Sequence, residues 1–328
     1  MLKILYYNLL VGSKYIICER SDIMRVKSKI IFIALVIILI AGAVTYGFKS
    51  KKPAVTKKTQ VEAKQQDNKK NKENQVEKNK QPREFKNTPL IYNDKSIPVL
   101  MYHSIDYEKN NELRLPKEQF RQQMKYLKDS GYTTLTLDEL YNFMVNNKPV
   151  PAKSVVITLD DGYKDNYTNA YPVLKEFGLN AAVFVITSTI DKDSSYLTTS
   201  ELKEMDQNGV DIESHTVNHD KLGQLSYEKQ CETLKGSKEY IEKILNKKVK
   251  YIGYPFGKYN NYTQKAAKDT EYTMAFTTNS GWSNKDQGIY NLNRVYISAN
   301  YSMDEFIRRI TNPNYNVQNT AHKTGSKK

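Results

Sequence analysis

The sequence predicts an α/β protein whose main domain is a (β/α) barrel of about seven parallel strands, preceded by a transmembrane helix and a disordered linker. From Pro98 onward, short apolar runs alternate with amphipathic ones, which is the pattern of strands interleaved with helices. Before that point, one long uncharged apolar run and one lysine-rich polar stretch lack this alternation. In a parallel barrel, reactive groups lie at the carboxyl ends of the strands, so candidate site residues are sought there.

Each barrel element is predicted from its own local signals. Most of the apolar runs that predict strands are bounded by turn residues. The predicted strands are 99–102, 155–159, 181–186, 210–213, 251–254, 274–277 and 295–297. Helices are predicted at 117–128 after Pro116, at 227–245 after Ser226 and at 304–310 after Ser302, because proline and serine are favoured where helices begin.

Residues 30–48 form an uncharged apolar run long enough to nearly cross a hydrocarbon core. Arg25, Lys27 and Lys29 precede the run, as expected of a cytoplasmic flank, so residues 1–29 are predicted to be cytoplasmic. An Ala-Gly-Ala stretch at 41–43 resembles a cleavage site, which leaves a signal peptide as the alternative. The length of the run favours an uncleaved anchor, with the following domain outside the cell. Cleavage would instead release a secreted protein, and Met24 is an alternative start.

The rest of the chain divides by composition into a linker at 49–90, one catalytic domain at 91–312 and a flexible tail at 313–328. The linker has almost no large apolar residue, so it cannot offset its ordering entropy by burial. The net charge of +14 lies in the membrane flank, linker and tail, because residues 91–320 hold 28 basic and 29 acidic groups. A near-neutral domain does not favour nucleic-acid binding. Cys18 and Cys231 fall on opposite sides of the predicted span, so no disulfide is expected.

Two adjacent carboxylates, Asp160 and Asp161, directly follow the predicted strand at 155–159, and Gly162 permits a sharp turn there. Neighbouring side chains point in different directions, so one carboxylate could bind a cation while the other remains free for proton transfer. Taken alone, Asp-Asp-Gly is also an ordinary surface turn.

His215 and His219 follow another predicted strand and are spaced so that both can face one ion. Two imidazoles and one carboxylate form a three-ligand site with open positions for water, which is typical of hydrolytic metal centres. Two surface histidines without a metal are the alternative interpretation.

Two further motifs lie at predicted strand ends. Tyr254-Pro255-Phe256-Gly257 forms a turn that could direct backbone N–H groups toward a reacting carbonyl oxygen. His103 ends the first strand of the domain, where a lone histidine is more often structural.

The motifs Thr158-Leu-Asp-Asp-Gly162, His215-Thr-Val-Asn-His219 and Tyr254-Pro-Phe-Gly257 occur in the order found in the polysaccharide deacetylases, carbohydrate esterase family four, with the NodB-homology domain. The resemblance covers about residues 95–312. It implies a distorted (β/α) barrel, a divalent metal and hydrolysis of acetyl groups on glycans. Asp161, His215 and His219 are implied as metal ligands, and Asp160 as the base that takes a proton from the attacking water.

The resemblance leaves the metal and the oxyanion donor partly open. Zn²⁺ is the default cation, and Co²⁺ or Ni²⁺ would suit the same ligands. A backbone N–H near Phe256 is implied as a donor to the oxyanion, and Tyr254, Pro255 and Phe256 are together predicted to form the substrate and oxyanion part of the site.

The sequence departs from the family pattern at two positions that affect the catalytic groups. Many relatives carry a late histidine as the general acid, but residues 293–300 contain none. The stretch 99–103 resembles the opening motif of a family branch that acts on poly-N-acetylglucosamine, which implies His103 as the acid. Gly253 replaces an arginine that orients the catalytic aspartate in many relatives, and Arg294 is the candidate substitute. Trp282 is expected either to line the sugar groove or to pack structurally.

The sequence therefore predicts an N-deacetylase of GlcNAc or MurNAc units in a cell-wall glycan, with peptidoglycan first because an anchor and a stalk would hold the domain beside the wall. A poly-N-acetylglucosamine deacetylase and a glycan O-acetyl esterase are the alternative enzymes. A carbohydrate-binding module is the non-enzymatic alternative. The predicted partners are the glycan and the membrane, and the oligomeric state is left open.

Overall fold

The computed structural model describes residues 83–316. Within this range the strands are β1 (Leu90–Ile91), β2 (Val99–Tyr102), β3 (Thr133–Thr134), β4 (Val150–Pro151), β5 (Ser154–Leu159), β6 (Ala181–Val185), β7 (Val210–Ser214), β8 (Tyr251–Gly253), β9 (Met274–Ser280) and β10 (Leu292–Tyr296). The α-helices are α1 (Lys117–Asp129), α2 (Leu137–Asn146), α3 (Tyr171–Phe177), α4 (Thr199–Gln207), α5 (Tyr227–Leu245), α6 (Asn261–Asp269) and α7 (Met303–Thr311).

Seven of these strands form a closed parallel barrel, which confirms the barrel part of the predicted fold class. The strands β2, β5, β6, β7, β8, β9 and β10 pair in chain order, and β10 returns to pair with β2. The short β3 adds to the outside edge of β5, while β1 and β4 form a separate antiparallel pair. The barrel is irregular because β8 has three residues and the β9–β10 register shifts between Leu292 and Arg294.

The sequence located all seven barrel strands and the three predicted helices, with bounds that differ by at most three residues. Four helices, α2, α3, α4 and α6, were not predicted. Three of them begin with a capping box: Thr136 with Glu139 for α2, Thr198 with Glu201 for α4 and Asn260 with Thr263 for α6. Their apolar faces are short, which explains why periodicity alone did not identify them.

Alternation along the strands determines which side chains enter the barrel. Val99, Val156 and Phe276 belong to one buried cluster inside the barrel, called the interior cluster below. Neighbouring strand positions join a second buried cluster with residues of the surrounding helices, called the cluster outside the barrel. Side chains on a strand alternate between its two faces. Asp160 lies four residues after Val156, and Arg294 lies two residues after Leu292. Val156 and Leu292 both belong to the interior cluster, so the side chains of Asp160 and Arg294 also face the barrel interior.

The amino-terminal end of the barrel is covered by α2. Leu140 and Phe143 of this helix join the interior cluster, and Asp138 contacts Lys250 and Tyr251 where β8 begins. Substrate access is therefore expected at the opposite end, where the strands terminate.

The contacts of the domain extend beyond its predicted boundaries at 91 and 312. Arg83 donates to Glu139 and to the carbonyl of Thr134, and Phe85 packs against the interior cluster, so residues 83–90 contact the barrel although their composition placed them in the linker. Tyr315, assigned to the tail, is buried. Among residues 83–316, no helix is both long and apolar enough to span a membrane. The predicted anchor at 30–48 and the cytoplasmic segment at 1–29 lie outside the described residues.

Candidate active site

The candidate residues meet at the carboxyl-terminal end of the barrel. Asp160 and Asp161 follow β5, His215 follows β7 and His103 follows β2. Gly162, directly after the two carboxylates, has φ +76°, and an added Cβ would lie 2.9 Å from Cγ1 of Val185. The Asp-Asp-Gly sequence is therefore a tight turn that needs glycine and that presents both carboxylates at one strand end.

Asp161, His215 and His219 form a cluster that fits one metal ion. Oδ1 of Asp161 lies 3.4 Å from Nε2 of His215 and 3.2 Å from Nε2 of His219, and the three donor atoms all fall within 4.8 Å of one another. Ligands about 2.0–2.2 Å from a tetrahedral ion are separated from one another by about 3.4 Å, so the two distances from Asp161 match the spacing of ligands around one ion.

The hydrogen bonding around this cluster also suits a cation. Oδ1 of Asp161 is buried and has no hydrogen-bond partner, which is costly unless a positive group satisfies it. Nδ1 of His215 lies 2.8 Å from the carbonyl oxygen of Gly253, which leaves the Nε2 lone pair directed toward Asp161. Burial raises the pKa of Asp161, but the two adjacent imidazoles more than offset this and hold that pKa well below its usual range.

Asp160 is held by Arg294 in a buried bidentate ion pair. Nη1 and Nη2 of Arg294 donate to Oδ1 and Oδ2 of Asp160, each at 2.7 Å. Arg294 also donates to Oγ1 of Thr158 and to the carbonyl of Thr277, so its guanidinium is fixed on three sides. Burial alone would raise the pKa of Asp160, and the charge of Arg294 reverses that effect, so the carboxyl remains ionised at neutral pH.

His103 lies across the site from the metal cluster. Its Nε2 is 3.9 Å from Oδ2 of Asp160, and its side chain is 16% exposed. Burial lowers the pKa of His103, although the carboxylates of Asp160 and Asp161 oppose that shift. Nδ1 of His103 is buried and makes no hydrogen bond within residues 83–316.

The turn after β8 brings only one of its predicted side chains to the site. The ring of Phe256 lies 4.3 Å from the ring of His219 and is half exposed, so it forms part of the rim. Phe256 adopts a left-handed backbone conformation with φ +56°. Tyr254 is fully buried in the cluster outside the barrel, and Pro255 is buried as well. Their predicted place at the substrate and oxyanion site is therefore wrong for the side chains, which shape the turn instead.

Trp282 is not brought together with the other candidates. Its indole N–H donates to the carbonyl of Arg309 in α7 at 2.8 Å, and its ring packs against the cluster outside the barrel. Of its two expected roles, the structure gives Trp282 the packing one.

Three groups that hydrogen-bond to the site residues were not predicted from the sequence. The hydroxyl of Thr158 and the carbonyl of Thr277 bind Arg294, and the carbonyl of Gly253 binds His215. Backbone carbonyls have no sequence signal. Thr158, two residues before Asp160 on the same strand, shares its face, so alternation could have identified it.

The closed parallel barrel, with an Asp–His–His cluster at its strand ends that could hold one metal ion, defines a (β/α)-barrel protein with a candidate metal site. A family model described as polysaccharide deacetylase matches residues 147–275, which include both metal-cluster motifs. YxkH of Bacillus subtilis (strain 168), whose name places it among the polysaccharide deacetylases, is 43% identical over 210 residues, covering 64% of this chain and 74% of YxkH.

Two other relatives are informative. The solved structure of the Streptococcus pyogenes deacetylase PplD in complex with acetate has a TM-score of 0.64 and 36% identity, covering 66% of this chain and 98% of PplD. The poly-β-1,6-N-acetyl-D-glucosamine N-deacetylase of Staphylococcus aureus (strain MSSA476) is 28% identical over 250 residues, covering 67% of this chain and 84% of that protein.

This chain belongs to the polysaccharide deacetylase family. It is a hydrolase of carbon–nitrogen bonds, and a glycan is its class of substrate.

Proposed function

We propose that this protein uses one divalent metal ion to remove N-acetyl groups from GlcNAc or MurNAc units of a cell-wall glycan. The observation that carries the proposal is the juxtaposition of Asp160, ionised and clamped by Arg294, with the Asp161–His215–His219 cluster on one side and His103 on the other. Amide hydrolysis requires a base, an electrophile and an acid, and this arrangement supplies a residue set for each.

A divalent ion bound by the three-residue cluster would polarise the acetyl carbonyl and lower the pKa of water from 15.7 toward roughly 7. Zn²⁺ is the first choice, and Co²⁺ and Ni²⁺ suit the same donors. Asp160 accepts the proton from the attacking water, because it is ionised at neutral pH and its plane is fixed by Arg294. We assign the donor to the developing oxyanion to the backbone N–H near Phe256, because the ring of this residue lies beside His219 at the site rim.

In its imidazolium form, which the carboxylates of Asp160 and Asp161 favour, His103 donates a proton to the leaving sugar nitrogen and becomes neutral. An amine is a poor leaving group unless it is protonated as the bond breaks, and a positioned acid contributes about 10²- to 10⁴-fold to such a step. Among residues 83–316, the other two histidines belong to the metal cluster, so His103 is the imidazole that remains for this role.

Peptidoglycan is the first substrate of this proposal, because the anchor and linker predicted at 30–90 would tether the domain outside the cell beside the wall. Poly-β-1,6-N-acetylglucosamine is the second, supported by the similarity to the Staphylococcus aureus deacetylase. A glycan O-acetyl esterase is less favoured, since an alkoxide leaving group depends less on an acid such as His103.

The decisive experiment supplies the detergent-solubilised full chain with purified peptidoglycan and, separately, with poly-β-1,6-N-acetylglucosamine, and measures free amines and released acetate. Amines and acetate in equal amounts from peptidoglycan, and their absence with Asp160→Asn, support the proposal. Activity on the soluble polymer alone would move the assignment to the second substrate. Acetate without amines would indicate an esterase. Asp129→Asn, an exposed aspartate on α1, is the matched control and should remain active.

A further inference from the structure

The loop that carries His103 is bound by hydrogen bonds from one short π-helix and the residue before it. Asp165, just before the π-helix Asn166–Ala170, accepts from the hydroxyl of Ser104 and from the backbone N–H of Ile105, both at 2.7 Å. Asn166 donates to the carbonyl of His103 at 2.9 Å.

A third side chain of the same segment also contacts the loop. Asn169 donates to the carbonyl of Ile105, also at 2.9 Å. Three polar side chains of one helical segment therefore bind three consecutive residues of the loop, and two of the three, Asp165 and Asn166, are buried. Short π-helical stretches are rare and occur frequently at functional sites.

The imidazole of His103 has little else to hold it. Its Nδ1 has no hydrogen-bond partner within residues 83–316, and its Nε2 is 3.9 Å from Asp160, beyond hydrogen-bond distance. In many catalytic histidines, a carboxylate or carbonyl bound to the second nitrogen fixes the ring. Here the ring position depends on its backbone and on packing, and the backbone is fixed by the π-helix.

Asp165, Asn166 and Asn169, which bind the loop, lie a few positions after the two carboxylates of the site in the same segment. Asp160 and Asp161 directly follow β5, and Asp165, the first of the residues that bind the loop, comes four residues after Asp161. The segment 160–169 thus contains the proposed base and one proposed metal ligand at its start. Its last residues hydrogen-bond to the backbone of the loop that carries the proposed acid. Any shift of the π-helix relative to β5 would change the distance between His103 and Asp160.

We propose that Asp165, Asn166 and Asn169 are positioning residues that set the placement of His103 relative to Asp160. This inference rests on the proposed function, because it matters for catalysis only if His103 is the acid. A merely structural role would instead stabilise the fold without affecting one chemical step more than another, and a comparison of leaving groups separates the two roles.

The test compares an amide with an activated ester in Asn166→Ala, Asn169→Ala and the double variant. The amide is N,N′,N″,N‴-tetraacetylchitotetraose, and the ester is 4-nitrophenyl acetate, whose leaving group departs without protonation. We expect kcat for the amide to fall about 10-fold in Asn166→Ala and about 10- to 100-fold in the double variant, with KM changed less than about 3-fold. Turnover of the ester should change less than about 2-fold.

A double-mutant cycle with His103→Ala connects the loss to the histidine. If Asn166 acts through His103, adding Asn166→Ala to His103→Ala should cause no further loss of amide turnover. Equal losses of turnover on both substrates would overturn the inference. So would a further loss of amide turnover when Asn166→Ala is added to His103→Ala. If His103→Ala itself affects amide and ester equally, the role proposed for His103 fails instead, so the two failures are distinguishable.

Asn208→Ala is the matched control for stability. Asn208 donates a single side-chain hydrogen bond to the carbonyl of Glu204 at the end of α4, on an exposed surface. This variant should lose a comparable hydrogen bond and retain full activity on both substrates. Should Asn166→Ala melt far below the Asn208→Ala control, Asn169→Ala, which removes the half-buried contact to Ile105, provides the comparison in a folded protein.

Discussion

Arg294 and Asp160 form a buried bidentate ion pair that links the last barrel strand to the end of β5, across 134 positions of the chain. Their side chains are 0% and 3% exposed. The pair orients the carboxylate. It also connects β5 and β10 across the barrel interior by an ion pair, although these strands are not neighbours in the sheet. Breaking a buried pair by removing one partner is more damaging than removing both, because the remaining charge stays buried.

Arg294→Met should therefore destabilise the protein by about 3–5 kcal/mol, since Asp160 is left buried without a partner. Amide hydrolysis should fall at least about 100-fold because the carboxylate loses its fixed orientation. Urea unfolding and acetate release measure the two effects. The double variant Asp160→Asn with Arg294→Met should recover most of the lost stability but no activity. Loss of bound metal in Arg294→Met would contradict the assignment of this residue to Asp160.

His103→Ala should slow the hydrolysis of N-acetyl groups by at least about 100-fold while metal content is unchanged, because the leaving nitrogen loses its proton donor. Hydrolysis of 4-nitrophenyl acetate should be nearly unaffected. Steady-state rates on both substrates, with elemental analysis of the purified protein, check this prediction. An unchanged amide rate would remove His103 from the mechanism.

The sequence was sufficient for the barrel because its strands are apolar on both faces and are separated by turn residues. Val155 to Leu159 and Ala181 to Val185 are buried at every position, which gives unambiguous runs. It was less informative for α3, a helix of seven residues, and for the two-residue strands, where too few positions exist to show a period.

The metal cluster was predictable from residue type, but its geometry was not. Asp161, Thr216, His219 and Phe256 all adopt positive φ values, between +56° and +75°, and none of them is glycine or asparagine. Such conformations are costly and persist only where surrounding contacts impose them, so no local sequence rule anticipates them. The pairing of Arg294 with Asp160 likewise depends on barrel closure, which brings β10 beside β2 and opposite β5.

Gly253→Ala should weaken metal binding. An added Cβ would lie 3.2 Å from Nδ1 of His215 and 3.1 Å from the ring of Phe184, so the imidazole must shift from the carbonyl that orients it. Second-layer hydrogen bonds of this kind typically affect metal affinity about 10- to 100-fold. Competition with a chromogenic chelator measures the affinity. Gly236→Ala in α5, where the new Cβ would make an ordinary 3.4 Å contact, is the control and should bind metal normally.

Glu305 should make a pH-dependent contribution to stability. Hydrogen bonds from Arg308 outweigh its partial burial, and with a further bond from Arg309 they lower the pKa of Glu305 to about 2. Its folded pKa is below its unfolded one, so the stabilisation is complete above about pH 4.5 and is lost as the pH falls toward 2. The pair is largely solvated, which limits the effect to about 1 kcal/mol.

The measurement for this residue is the difference in unfolding free energy between the wild type and Glu305→Gln across pH 3 to 7. The difference should be constant from pH 6 to 7 and should shrink below pH 4.5. Glu118→Gln, in the first turn of α1, controls for the loss of a carboxylate at a helix N-terminus. A difference that grew on acidification would contradict the assigned direction of the pKa shift.

Removal of metal should lower both activity and thermal stability, because an ion that binds only the folded state stabilises it by mass action, by about 2.7 kcal/mol at 100 times its dissociation constant. After chelation, the melting temperature should rise again on addition of Zn²⁺, Co²⁺ or Ni²⁺, and the size of each rise ranks the ions. Asp161→Asn should abolish this rise, since it removes the anionic ligand between His215 and His219. Asp129→Asn should retain the full response. A metal-induced rise that survives in Asp161→Asn would place the ion elsewhere in the chain and would remove the Asp–His–His cluster from the proposed mechanism.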